Sequence, residues 1–261
     1  MRTRRDLLYT AGVIAAVAAI AIAALLALTA GVSRGSEFPS LRDRPNPDIP
    51  GRIAYLRSDG CLVIAEASGA SAEESTCVPP FSVSAVAWME AGAVALAMRT
   101  GGLPAPSPVP APPTAIPPVP TPFEPQWVVV SLADGSLRPT GIAVSERTVS
   151  GGPEGIMGPD GRIAWLDFGD SRLYVFAGEG RREVAHFPGG TPVMLTGWSP
   201  DGRWVLASRY RSGTEYALLI VDTTAGAVYE LARDAAIATP SWWIEGVGAW
   251  PRYPELEAAT R

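Results

Sequence analysis

Few residues in this chain have the types and spacing that chemistry requires. Gly31-Val32-Ser33-Arg34-Gly35 matches the G-x-S-x-G pattern, in which a tight strand-to-helix turn exposes a serine for acyl transfer. Here a charge-free apolar run precedes the pattern and a polar, proline-containing stretch follows it, so the turn that would present Ser33 is not expected. The single histidine, His186, sits in the strand-like run Glu-Val-Ala-His-Phe with no hydrolase domain around it. The two cysteines, Cys61 and Cys77, have no histidine neighbours and do not make a zinc set. Asp134, Asp160 and Asp201 each precede a glycine, the position of an aspartate that bonds turn amides. No phosphate-binding glycine loop occurs. The expectation is therefore a chain with no catalytic residues, no metal and no cofactor; an envelope hydrolase would need a catalytic group that the sequence does not display.

The surrounding elements point to a membrane and what lies beyond it. Residues 7–30 run without a charge, long enough as a helix to cross a hydrocarbon core of about 30 Å. Arg2, Arg4 and Arg5 precede the run, and the next arginine is Arg34. This asymmetry predicts a cytoplasmic N-terminus, residues 1–6, and an extracytoplasmic remainder. A cleaved signal peptide is the alternative, although its apolar region is usually about 7–15 residues and Leu28-Thr29-Ala30 fits a small-x-small cleavage site poorly. Arg4-Arg5 also fits a twin-arginine export signal, or simply the positive-inside flank. Residues 31–50, polar and carrying several prolines, read as a linker. The formal net charge of −5 excludes a nucleic-acid surface.

From residue 51 to 253 the chain repeats. Gly51, Gly92, Gly161, Gly202 and Gly246 each open a run of apolar and small residues, at intervals of 41, 69, 41 and 44 residues. Glycine suits such turns because they often need positive φ. Four turns carry a related pentad upstream: Trp88 to Gly92, Met157 to Gly161, Trp198 to Gly202 and Trp242 to Gly246. The large residue that opens each pentad is expected to pack between neighbouring sheets. A third apolar strand follows each turn, as in Cys-Leu-Val-Ile-Ala-Glu-Ala from Cys61 and Tyr-Ala-Leu-Leu-Ile-Val-Asp from Tyr216, and then a more polar fourth. Four strands per period of about 40 residues describe a propeller blade.

Trp198-Ser199-Pro200-Asp201-Gly202, followed by an apolar strand and a strand ending Val-Asp, resembles the PD40 or TolB-like repeat of WD40-like β-propellers. The resemblance spans roughly residues 50–250. Asp160 and Asp201 match the motif's turn aspartate, whereas Glu90-Ala91 and Ile244-Glu245 stand where the Pro-Asp pair is absent. The expected fold is all-β: a small propeller of about four blades, complete or incomplete, after one transmembrane helix. Closure is expected from residues 238–244 as the innermost strand of the blade that holds Arg52. Residues 247–253 are either the end of that arrangement or a remnant of a fifth blade, and 254–261 a tail. If the strands from Cys61 and to Cys77 form a hairpin centred near Gly69, the cysteines stand opposite each other at disulfide distance, and an exported domain would oxidise them.

Residues 103–125, nearly half proline, lengthen the second interval. They cannot form a ladder and are expected to project from their blade, as a tolerated insertion or as a preformed ligand for an aromatic-lined groove. The function expected is a non-enzymatic, membrane-anchored interaction or scaffold module with an envelope protein as partner, and no nucleic acid. The alternative is a propeller that takes a small ligand or glycan through its funnel or its tryptophans.

Overall fold

The computed structural model describes residues 38–79, 83–90, 92–99, 125–144, 155–188 and 190–259. The predicted span at 7–30 and most of the proline-rich stretch lie outside them, and among the described residues no helix is long and apolar enough to cross a membrane.

Four antiparallel sheets follow one another along the chain. The first contains Arg52–Leu56 (β1), Cys61–Glu66 (β2) and Ala72–Cys77 (β3). The second contains Val83–Glu90 (β4), Ala93–Arg99 (β5), Pro125–Ser131 (β6) and Leu137–Ala143 (β7). The third contains Ile156–Met157 (β8), Ile163–Asp167 (β9), Arg172–Ala177 (β10) and Gly180–His186 (β11). The fourth contains Val193–Trp198 (β12), Trp204–Ser212 (β13), Glu215–Asp222 (β14) and Val228–Ala235 (β15). Each is a meander in which neighbouring strands pair in chain order. Composition explains the gradient: β14 is buried from Ala217 to Asp222, whereas β3, Ala-Glu-Glu-Ser-Thr-Cys, is mostly exposed. The most apolar strands can be covered on both faces, and the acidic ones can end a sheet.

The C-terminus returns to the first sheet. Ser241–Ile244 (β16) pairs antiparallel with β1, with Ile53 opposite Trp242. Closure by this stretch agrees with the expectation, but β16 is not innermost. Gly248–Trp250 (β17) pairs inside it, making the sheet five-stranded in the order β17-β16-β1-β2-β3. Residues 247–253 are thus no remnant of a fifth blade. The expected tail forms a short helix, Pro254–Ala259 (α1).

Residues 38–50 also differ from a free linker. The amide of Leu41 donates to the carbonyl of Glu230, and that of Glu230 to Pro39, so the outer edge of the fourth sheet is covered. Leu41 and Ile49 are buried in the core between the first and fourth sheets. Among the turn glycines, Gly51, Gly161, Gly202 and Gly246 adopt positive φ as expected. Gly92 does not, and a Cβ there would meet nothing, so that turn has no steric need for glycine.

Cys61 and Cys77 face each other across β2 and β3 and are joined by a disulfide.

Candidate functional site

The sheets meet through shared cores, and these cores define where the ring is closed. One cluster joins the first and fourth sheets through Ile53, Tyr55, Trp204 and Ile220. A second joins the third and fourth through Leu166, Val175, Trp198 and Leu219. A third joins the first and second through Leu56, Leu62, Val86 and Leu96. Among the described residues no cluster joins the second sheet to the third. The arrangement is propeller-like, with an arc in the order second, first, fourth, third.

The pentad tryptophans explain the closed seams. Trp88, Trp198 and Trp242 are buried, and each indole N–H donates to a carbonyl: Trp88 to Ser241 at 3.1 Å, Trp198 to Ile156 at 3.0 Å and Trp242 to Pro50 at 2.9 Å. Burial of a large ring with its one polar group satisfied is what makes tryptophan effective here. Ser241 also accepts at Oγ from the Trp88 amide at 3.1 Å. At the seam of the third and fourth sheets the fit is close: a Cβ on Gly158 would lie 3.0 Å from the Trp198 ring. Arg162 donates to the Gly202 carbonyl at 2.5 Å with its guanidinium 5.5 Å from the Trp198 ring centre, and Arg182 donates to the Thr223 carbonyl.

The second pentad opens with Met157, and this member departs from the expectation that it packs between sheets. Met157 is 63% exposed. Its side chain has no N–H to give, and it joins none of the cores among the described residues. Its strand β8 is two residues long, against six in β12. Gly155, immediately before β8, has a φ of 129°, outside the strand region.

The third sheet consequently has two unlike faces. Ala164, Leu166, Leu173 and Val175 enter the core shared with the fourth sheet. On the other face, register places Ile163 beside Phe176 and Arg181, and Trp165 beside Tyr174 and Glu183. The Trp165 and Tyr174 ring centres are 5.8 Å apart, and Trp165 and Phe176 meet edge to face at 6.3 Å. Arg181 lies over Tyr174 at 4.2 Å, and Arg172 pairs with Glu183 at 2.6 Å. Ile163 is exposed, and Trp165 and Phe176 are half-buried. This is an aromatic, partly wet surface with a charged rim, the composition of a contact surface.

The second sheet's far face is covered differently. Tyr253 and Leu256 of the C-terminal segment pack on Ala85, Ala87, Ala97 and Trp127, and Tyr253 lies 4.8 Å from the Trp127 ring. Burial, with Glu255 nearby, pushes the Tyr253 phenol well above its ordinary range. Beside this cover an open groove of about 630 Å³ is lined by Met89, Val129, Arg138 and Ile142. A separate cavity of about 470 Å³ between the first and fourth sheets carries Arg42, Tyr55, Arg57, Glu74 and Asp234.

The turn aspartates are occupied by their own backbones. Asp201 and Asp160 each accept at 3.1 Å from the amide two residues on, and Asp134 accepts from Ser136 at 3.0 Å. That bond, with hydrogen bonds from the Ser136 and Ser131 hydroxyls, lowers the Asp134 carboxyl to about 2. Asp222, missed by sequence reading, is buried at the end of β14; burial raises its pKa, but the amides of Ala225 and Thr224 and the Arg203 guanidinium at 2.9 Å bring the net below the ordinary value. The Val-Asp ending of the strand was its only signal. His186 is exposed opposite Arg172, and Ser33 lies outside the described residues.

No protein-family model and no curated protein matches the chain. Among solved structures it is similar to TolB from Acinetobacter baumannii, at 18% identity over 72% of this chain and 54% of that one, with a TM-score of 0.24. It is also similar to a puromycin-hydrolyzing peptidase from Mycobacterium tuberculosis, at 19% identity over 77% of this chain and 30% of that one, TM-score 0.23. A protein from Lactobacillus plantarum is 20% identical over 69% of this chain and 54% of that one, TM-score 0.23. The chain spans about half the length of the TolB structure. Likeness at these scores carries no argument about fold or function, so the propeller-like arrangement rests on the order of the sheets and the cores between them.

Proposed function

We propose that this chain is a membrane-anchored, extracytoplasmic, non-enzymatic interaction module that captures a protein partner at the cell envelope. One observation carries the reading: the aromatic face of the third sheet, around Trp165, Tyr174 and Phe176, stands where the arc of sheets lacks a shared core. Aromatic residues and arginine on a partly exposed face are what protein contacts favour. The anchor is supported by the charge-free run at 7–30 and the arginines before it. A photoreactive residue placed at Ile163 in the membrane-bound chain tests the reading. It should cross-link one envelope protein in cells, and no cross-link beyond that of the same probe at exposed Val247 would contradict it. External protease should digest the domain in spheroplasts; full protection would overturn the orientation.

The half-buried Trp165 ring favours a second reading, in which it stacks on a sugar. Binding on a glycan array that is lost in Trp165→Ala would support it.

A further inference from the structure

The cavity of about 470 Å³ between the first and fourth sheets lies apart from the third sheet's aromatic face. Its size falls within that of small-molecule sites, about 300–1,000 Å³. Val63, Ala65 and Leu231, all buried, give it an apolar part. The polar part is carried on backbone that is sewn together across the two sheets. The Ser58 amide donates to the Asp234 carbonyl at 2.7 Å and the Ala236 amide to the Leu56 carbonyl at 2.7 Å, so the end of β15 is fixed to the end of β1. Arg42 follows Leu41, whose own amide is bonded to Glu230. Nη2 of Arg42 donates to the Tyr55 hydroxyl at 3.3 Å. Burial raises the Tyr55 phenol above its ordinary value, so Tyr55 positions the guanidinium as a neutral acceptor and does not balance its charge.

The charged side chains of the lining are of two kinds. Arg57 is occupied, pairing with Asp59 at 2.9 Å and with Glu74 at 2.9 Å. Arg42 and Asp234 form no ion pair among the described residues. Asp234 also has its Oδ1 buried, and that oxygen accepts no hydrogen bond among the described residues. Buried polar atoms are normally satisfied, and rotation about the Cβ–Cγ bond exchanges the two oxygens, so either can meet a donor that enters the cavity. Two carboxylates to one guanidinium around Arg57 leave an excess of negative charge nearby, which favours a cationic donor. Arg42 offers the opposite end a planar guanidinium, whose parallel N–H groups match a carboxylate.

We propose that this cavity binds a small molecule carrying both an ammonium and a carboxylate, a free amino acid or a short peptide. Asp234 takes the ammonium, Arg42 takes the carboxylate, and Val63, Ala65 and Leu231 meet the apolar body. The site goes beyond the interaction-module reading and shares no residue with the third sheet's face, so either can fail without the other.

Isothermal titration calorimetry of the full chain in detergent tests the site with four probes. These are leucine, dileucine, isoamylamine (leucine without its carboxylate) and 4-methylvalerate (leucine without its ammonium). Leucine or dileucine should bind, the tighter of the two showing whether the source is a free amino acid or a peptide. Both truncated probes should bind at least about tenfold more weakly, because each leaves one charged group of the site unmatched. Asp234→Asn and Arg42→Gln should each weaken the tighter ligand by about tenfold while thermal unfolding stays cooperative. Selectivity gives a readout that a loss of fold would not: Asp234→Asn should remove the preference for leucine over 4-methylvalerate, and Arg42→Gln the preference over isoamylamine. No heat from leucine and dileucine would overturn the proposal, as would truncated probes that bind as well as leucine, or affinities unmoved by either substitution.

Discussion

Two seams of the same repeat behave differently. Between the third and fourth sheets, Trp198 is fully buried and bonded to Ile156, and Arg162 and Arg182 reach carbonyls across the joint. On the other side of the third sheet, Met157 stands at the equivalent pentad position and is exposed, and no core joins that face to the second sheet among the described residues. The strands and turns on the two sides are built alike, so the difference lies in one residue type and in the strand that holds it. A seam needs a large ring with a hydrogen-bond donor and a full inner strand to present it. Where methionine and a two-residue strand replace these, a sheet face is left for other use.

The closed seam can be attacked directly. Trp198→Ala removes a fully buried ring and leaves the Ile156 carbonyl without its donor; the expected loss is about 3–5 kcal/mol, read from urea denaturation. A loss below about 1 kcal/mol would mean the seam does not hold the sheets together. Paired Cys61→Ser and Cys77→Ser should cost about 3 kcal/mol, because the bond closes a loop of 16 residues. Its effect should appear in the first sheet, which holds both cysteines.

Acid should act on the closed side. The Asp222 carboxyl has a folded pKa below its unfolded value, so its contribution is present above about pH 4 and is lost as pH falls through the lowered folded pKa. Asp222→Asn should flatten the acid limb of a stability profile, and an unchanged limb would show that other groups control it. At the open seam Met157→Ala should change stability by no more than about 0.5 kcal/mol, as for an ordinary surface position. Met157→Trp supplies the missing ring: a gain in stability would show that a ring alone can draw the second sheet in.

Much of this arrangement was legible in the residues. The glycine spacing and the tryptophan pentads marked the period, and the apolar run at Ser241–Ile244 marked the closing strand because β1 had no inner partner before it. The cysteines were legible because hairpin register is an arithmetic of two residues per step. Other features carried no periodic signal. Leu41 and Ile49 are two isolated apolar residues in a polar, proline-containing stretch, and their burial depends on a surface made by distant strands. Tyr253 and Leu256 cover the second sheet for the same reason, and nothing in Tyr-Pro-Glu-Leu announces it. Met157 was visible as the odd member of its set, but a methionine is as much at home in a core as outside one, so only the structure showed which.

Mild peroxide oxidation of the intact chain, followed residue by residue in a mass spectrometer, separates one open seam from closed ones. Met157 at 63% exposure and Met98 at 2%, on the buried side of the second sheet, serve as each other's controls. Oxidation follows exposure, so Met157 should react at least about tenfold faster than Met98; equal, slow rates at both would mean that the seam is closed.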